Sequence, residues 1–193
     1  MKDTAALATL RERIILAGIA EISRNGITGF SMRRVSAACN ISCATPYSYF
    51  ENKDKFMLEM LRYIRGQWEL MEKAICDCFD EEREKIIESS MTYIRFLNAN
   101  PQFLAVIMLG NIDATSEQTK EKHMLTDSMG KRIENYRISR GDDEESAAGA
   151  AMIVKSVLYG ATLLLGDGED EKSVFPRVRE AVIREIDAPQ KKK

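Results

Sequence analysis

Apolar residues recur along this chain at steps of three and four nearly everywhere, and no segment alternates with period two, so the pattern predicts helices and no strand. Leu7, Leu10, Ile14, Gly18 and Ile22 form the first apolar line, closed by Asn25-Gly26, a pair suited to a positive-φ helix end. Ser31 is placed to cap a short helix through about Ala38, and Ser42 to cap a second one running to about Phe50. Between them Asn40 marks a tight turn, because asparagine tolerates positive φ better than any residue but glycine. From Lys53 a long helix carries Met57, Met60, Ile64, Trp68, Met71, Ile75 and Phe79 as a continuous stripe.

The remainder is equally helical. The acidic run from Asp80 opens a helix with Ile87, Met91, Ile94 and Leu97 on one line, ended by Asn98-Ala99-Asn100-Pro101. Pro101 suits the first turn of the next helix, to about Asp113. A further helix is expected over 116–139, with Leu125, Met129, Ile133 and Tyr136 on one side, and Gly141-Asp142-Asp143 breaks the chain after it. A small-residue helix follows over about 144–165, then a loop at Gly166-Asp167-Gly168, and a last helix capped by Ser173 bears Val174, Val178, Val182 and Ile186. The fold expected is all-α, with about nine helices. Three regions are expected: 1–52, 53–188, and a disordered basic tail over 189–193.

Composition narrows the class. The chain has 193 residues, 45% hydrophobic and 30% charged, which suits a soluble globular protein and excludes a disordered or collagen-like one. The formal net charge is −2, so the molecule is not a polycation. Residues 1–55 nevertheless carry eight basic and five acidic side chains, an excess of three positive charges, which leaves five negative charges on the rest. Without a secretory signal, Cys39, Cys43, Cys76 and Cys78 are expected as free thiols in the reducing cytoplasm. The apolar stretch 147–165 carries Lys155 at its centre, where a cation costs about 2.5–3.5 kcal/mol in lipid, so no membrane partner is expected. Cys76 and Cys78 point in different directions on a helix, and with one histidine, His123, no metal site and no cofactor follow from spacing. Nor is there a phosphate-cradling glycine loop or a nucleophile–base set, so no catalytic residue is assigned and an enzyme is not expected.

Residues 31–50 read as helix, tight turn, helix, each too short to bury itself alone, which is the helix-turn-helix arrangement in which the second helix enters a DNA major groove. Gly26, Ser31, Val35-Ser36, Ala38-Cys39-Asn40-Ile41-Ser42, Tyr47-Ser48-Tyr49-Phe50 and Lys53-Asp54-Lys55-Phe56 follow one another in fixed order. That succession resembles the tetracycline-repressor (TetR) family of bacterial transcriptional regulators over about residues 10–56. Asn40 departs from the family's turn glycine, and Pro46 is unusual at the start of the reading helix. The resemblance implies operator contacts by Ser31, Arg33, Ser42, Cys43, Ala44, Thr45, Tyr47, Ser48, Tyr49 and Lys53. Chemically, Ser31, Thr45, Tyr47, Tyr49 and Lys53 suit phosphates, and Arg33, Cys43, Ala44 and Ser48 would face base edges. Alanine and cysteine can only touch a thymine methyl, so part of the specificity is expected from DNA shape.

The resemblance also implies a DNA-binding domain over 1–52, a helical ligand-binding and dimerisation domain over 53–188, a palindromic double-stranded operator, a homodimer and a small hydrophobic or amphipathic inducer that releases the repressor. The dimer is expected through the helices at about 144–165 and 173–187. Candidate ligand contacts, where apolar stripes converge, are Met60, Ile64, Trp68, Tyr93, Leu97, Phe103, Ile107, Met108, Met124 and Met152. Plain core packing is the competing reading for each. An adaptor of the same fold without operator binding is the rival function, kept open by the uncharged reading face.

Overall fold

The computed structural model describes residues 9–108 and 116–189, and among these residues it contains nine helices and no strand. Contacts divide the chain into two compact units. Unit 1 comprises residues up to 65 and 101–122, and unit 2 comprises 66–100 and 123 onward.

Unit 1 contains α1 (Leu10–Asn25), α2 (Met32–Ala38), α3 (Thr45–Tyr49), α6 (Pro101–Ile107) and the first turns of α4 (Lys53–Cys78) and α7 (Ser116–Ser139). Thr9 caps α1 by accepting the Glu12 N–H at 3.2 Å, and Gly26 closes it at φ 64°. The apolar line of α1 (Ile14, Ile15, Ile19, Ile22) is buried, as are Val35, Phe50, Phe56 and Met60. Phe56 packs between Phe30 and Phe50, with ring centroids 6.1 and 4.6 Å away. A Cβ on Gly18 would lie 2.5 Å from Phe56 Cζ, so only glycine lets α1 approach this ring so closely. Around that core runs an ionic chain: Arg11 and Arg62 both reach Glu59, and Arg62 and Arg65 both reach Glu121, the latter at 3.1 and 2.7 Å. Burial alone would raise the Glu59 pKa, but the donors of Arg62 and Arg11 hold it below the ordinary carboxylate value.

Unit 2 is built from the rest of α4 and α7 with α5 (Glu82–Ala99), α8 (Glu144–Gly166) and α9 (Glu171–Ile186). By length and composition α8 could cross a membrane; in the fold it packs on α5 and α9. Its buried face is Ala147, Ala150, Ala151, Val154, Leu158, Ala161, Thr162 and Leu165, small residues that allow close helix approach. Asp143 caps it, accepting the Ser146 N–H at 2.8 Å. At the other end of unit 2's chain, Arg137 donates to the carbonyl oxygens of Glu185, Ile186 and Ala188 and so closes α9, while also pairing with Asp142.

Local readings meet three corrections. Ser42 does not cap α3: the helix begins at Thr45, with Ala44 at the cap position and no side-chain bond there. Pro46 has no N–H to offer an interior turn, so it pulls the start of the helix up to itself. Likewise α9 starts from Asp170, which accepts the Lys172 N–H at 3.2 Å, three residues before the expected Ser173; this leaves Pro176 inside the helix. The third concerns the α4 stripe, which is buried through Trp68 but then turns outward, leaving Met71 and Phe79 exposed. The inward position passes instead to Glu72, which takes a hydrogen bond from Ser128 on α7 at 2.6 Å. Leu7, the end of the helix expected to reach Asp113, and most of the basic tail lie outside the described residues.

Candidate nucleic-acid interface

The geometry begins with a turn. Helix α2 is opened by Ser31, whose Oγ accepts the Arg34 N–H at 3.4 Å. It is closed by Asn40 at φ 55°, the one positive-φ non-glycine residue described. Asn40 N–H donates to Ala37 O at 3.1 Å and Ile41 N–H to Ser36 O at 3.1 Å, the paired bonds of a Schellman ending. Gly141 and Gly168 end α7 and α8 with the same bond pair at φ 99° and 95°, so Asn40 does here what glycine does elsewhere in the chain. The turn is tied to α1 by Arg13, which donates to Cys39 O at 3.3 Å, and Val35 and Ser36 anchor α2 in the core.

The side chains then sort themselves. Cys43, Ala44, Tyr47, Ser48 and Tyr49 are exposed, Tyr47 by 53%, while Pro46 and Phe50 on the other side of α3 are buried. Ser42 Oγ and Thr45 Oγ1 sit 2.8 Å apart, and Ser48 Oγ donates to Thr45 O at 2.7 Å, which leaves the Ser48 oxygen as an acceptor. Of the two adjacent arginines, Arg34 donates to Glu21 at 2.7 Å and to Gly29 O, whereas Arg33 is exposed. The Lys53 ammonium stands over the Phe30 ring at 5.3 Å. Asn52, not singled out from sequence, accepts the Lys55 N–H at 2.9 Å and fixes the first turn of α4 beside this surface; an Asn just ahead of a charged helix start was the available signal. Phe30, the seat of Lys53, left no such signal.

All ten residues expected to meet DNA therefore belong to unit 1 and gather around one turn. The surface offers hydroxyls, phenols, one free guanidinium and one ammonium, with no acidic side chain on α2 or α3. Such a set can hold phosphates and read bases thinly. Cys39 is buried, its Sγ 3.6 Å from Arg13 O, and burial pushes its thiol pKa up, so it is a packing residue and not a reactive one.

Residues 14–60 match the family model of the bacterial regulatory proteins, tetR family. Over that segment the chain is similar to the bacterial regulatory proteins of the tetR family. Solved structures show the same fold over nearly the whole chain. One is the fatty acid degradation regulator FadR from Bacillus halodurans, with a TM-score of 0.74, 14% identity, and 95% of this chain and 97% of that one covered. Another is the regulator FadR from Bacillus subtilis in complex with stearoyl-CoA, with a TM-score of 0.73, 16% identity, and 89% and 96% covered. A TetR-like transcriptional regulator from Rhodococcus sp. RHA1 has a TM-score of 0.73 at 14% identity, with 94% and 98% covered. No curated protein matches the chain in sequence.

The ten candidate ligand contacts divide between the two units. Met60, Ile64, Phe103 and Ile107 are buried in unit 1, where Tyr63 and Phe103 pack edge to face at 6.4 Å; Met108 is at the surface. Trp68, Tyr93 and Leu97 are buried in unit 2, and Met124 is half-buried. Met152 stands apart: it is 64% exposed on the face of α8 opposite the buried Val154 and Leu158. It shares that outward face with Ile153, Leu163 and Leu164, a row with Ser156 and Gly160 between them.

Proposed function

We propose that this protein is a cytoplasmic, ligand-responsive transcriptional repressor that binds palindromic operator DNA as a homodimer. The observation that carries the reading is the α2–turn–α3 surface: within the tetR-matching segment, the residues at reading positions are exposed and those on the reverse side are core. Residues 1–52 read DNA, and 53–188 hold the ligand and the dimer contact. The outward row of α8, Met152, Ile153, Leu163 and Leu164, is the dimer surface together with α9, since small Ser156 and Gly160 between large apolar side chains suit a close helix pair. Its two-fold axis would set the reading helices about 34–36 Å apart. The inducer is an amphipathic molecule with an apolar chain, in keeping with the fatty-acid regulators that share the fold. Helix α4, which has residues in both units, carries the signal. Complete release requires the ligand to discriminate the two states by about 5.5 kcal/mol.

Selection from random duplexes at physiological salt tests the reading. Enrichment of a palindrome with half-sites about one helical turn apart, with a steep log–log salt slope, supports it. Ala44→Arg combined with Tyr47→Ala abolishes binding to that palindrome while the fold persists. Failure to enrich any sequence leaves the adaptor reading in its place.

A further inference from the structure

Resting on the operator-binding reading, the outermost line of α3 points to the base chemistry that the operator presents. Pro46 is buried against the core of unit 1. At about 100° of rotation per residue, Ser48 lies about 200° around the helix from it, on the side away from the core. Ala44, four residues earlier and already in αR conformation, is on that same outward line, and both residues are exposed. Tyr47 and Tyr49 stand to either side of the line and are exposed as well. A helix laid in a major groove turns its crest to the base edges and its flanks to the two backbones. The phenols on the flanks are therefore placed for phosphates, and Ser48 on the crest for bases. The bare methyl of Ala44 keeps the crest low, which lets a side chain as short as serine reach the groove floor.

A hydroxyl has one proton and two lone pairs, so a serine can in general meet either kind of base edge. Here the proton is already committed, because Ser48 Oγ donates to Thr45 O at 2.7 Å. The bond matters locally. Helix α3 is only five residues long, has no side-chain cap and contains Pro46, and this hydroxyl ties its fourth residue back to its first. The neighbouring pair differs: Ser42 Oγ and Thr45 Oγ1 sit 2.8 Å apart and share one proton, which leaves the other proton to donate elsewhere. Neither α2 nor α3 carries a carboxylate or amide side chain that could accept in place of Ser48. The crest of α3 thus presents an acceptor oxygen. In the major groove adenine N6 and cytosine N4 donate, whereas guanine O6 and thymine O4 accept.

We infer that Ser48 is a specificity-determining residue that accepts from an exocyclic base amine, so that one position in each operator half-site is adenine or cytosine and not guanine or thymine. The experiment carries the full-length parent protein, Ser48→Ala, Ser48→Thr and Ser48→Arg through the same selection from random duplexes. The parent is expected to favour the two amine-bearing bases at one half-site position by about threefold to tenfold, the worth of one hydrogen bond. Ser48→Ala should level that position and leave the others as they are, and Ser48→Thr, which retains the hydroxyl, should keep the preference. Ser48→Arg, a donor only, should turn it to guanine. A guanine or thymine preference at the position that Ser48→Ala levels would mean that the hydroxyl swings out to donate, and would overturn the inference. An enriched motif that Ser48→Ala leaves unaltered would overturn it too. Flattening of every position alike in Ser48→Ala would assign the hydroxyl to holding α3 together and overturn it equally. Failure of the operator reading is seen separately, as no enrichment by the parent, before Ser48 is changed.

Discussion

In unit 1 the buried polar side chains are all engaged: Glu21 takes Arg34, Ser36 donates to Met32 O, Gln118 donates to Asp54 O, and Glu121 takes two arginines. In unit 2 Ser90 and Thr162 are engaged in the same way and Glu72 takes Ser128 on one oxygen, yet Trp68 Nε1, the other Glu72 oxygen and Ser89 Oγ are not engaged, and every unpartnered buried atom described lies in this unit. Unit 1 thus uses its polar groups to hold a surface still, and its working face points outward. Unit 2 keeps polar groups in reserve inside a core. The first arrangement suits recognition of a rigid, highly charged polymer, where prepositioned contacts save ordering entropy; the second suits a small guest that replaces the missing partners.

The sharpest way to break this comparison is to remove the ring at the centre of unit 1. Phe56→Ala should cost about 3–5 kcal/mol, read as a fall in the urea midpoint of the transition that reports unit 1. A loss below 1 kcal/mol would mean that the aromatic cluster is not what holds the reading head. Next, Glu121→Ala removes the carboxylate that Arg62 and Arg65 share, and a cost of about 1–3 kcal/mol is expected, less than for a sealed ion pair because Arg62 is half-exposed. Third, Tyr47→Ala should weaken operator binding about tenfold, read by fluorescence anisotropy, with Tm unchanged because its side chain is exposed.

A smaller effect is expected in unit 2 from Asp187. The Arg83 guanidinium donates to it through Nε and Nη2, and Arg140 adds a third donor, so its carboxyl is held below the ordinary value. A depressed carboxylate contributes stability that is present above its unfolded pKa and lost as pH falls through the folded one. Asp187→Asn should therefore cost about 1 kcal/mol at neutral pH, and the gap from the parent should close as pH drops below about 4, measured by urea titration at stepped pH. The smallest effect separates the units most cleanly. Ser89→Ala should change stability by no more than about 0.5 kcal/mol, since its hydroxyl makes no bond, whereas Ser36→Val in unit 1 discards a made bond in a sealed position and should cost about 1–3 kcal/mol.

Helix content and turn chemistry were the legible part. The apolar period, Asn25-Gly26, Ser31, Asn40 and Gly141-Asp142 all mark element ends seen in the fold, because each depends on φ preference or a bond within a few residues. Ser42 and Ser173 misled for the same local reason inverted. Each can cap a helix, but a proline a few residues on shifts the start in α3, and an aspartate three residues earlier takes the role in α9. The exposed face of α2 and α3 was legible because its residues sit within one short segment. The outward turn of Met71 and Phe79 was not, since an apolar stripe cannot say which neighbour it will meet, or that Ser128 would draw Glu72 inward.

By itself the sequence determined an all-helical chain, the place of its helix-turn-helix, the excess positive charge of that end, and a turn that asparagine could make. These follow from local sterics, capping and the apolar period, which act over three or four residues. Tertiary structure alone decided that Arg34 is tied to Glu21, that Met152 faces outward, and that Trp68 Nε1 on α4 and Ser89 Oγ on α5 are buried without partners. Those outcomes depend on what lies across the helix packing, between residues as far apart in the chain as Trp68 and Tyr93.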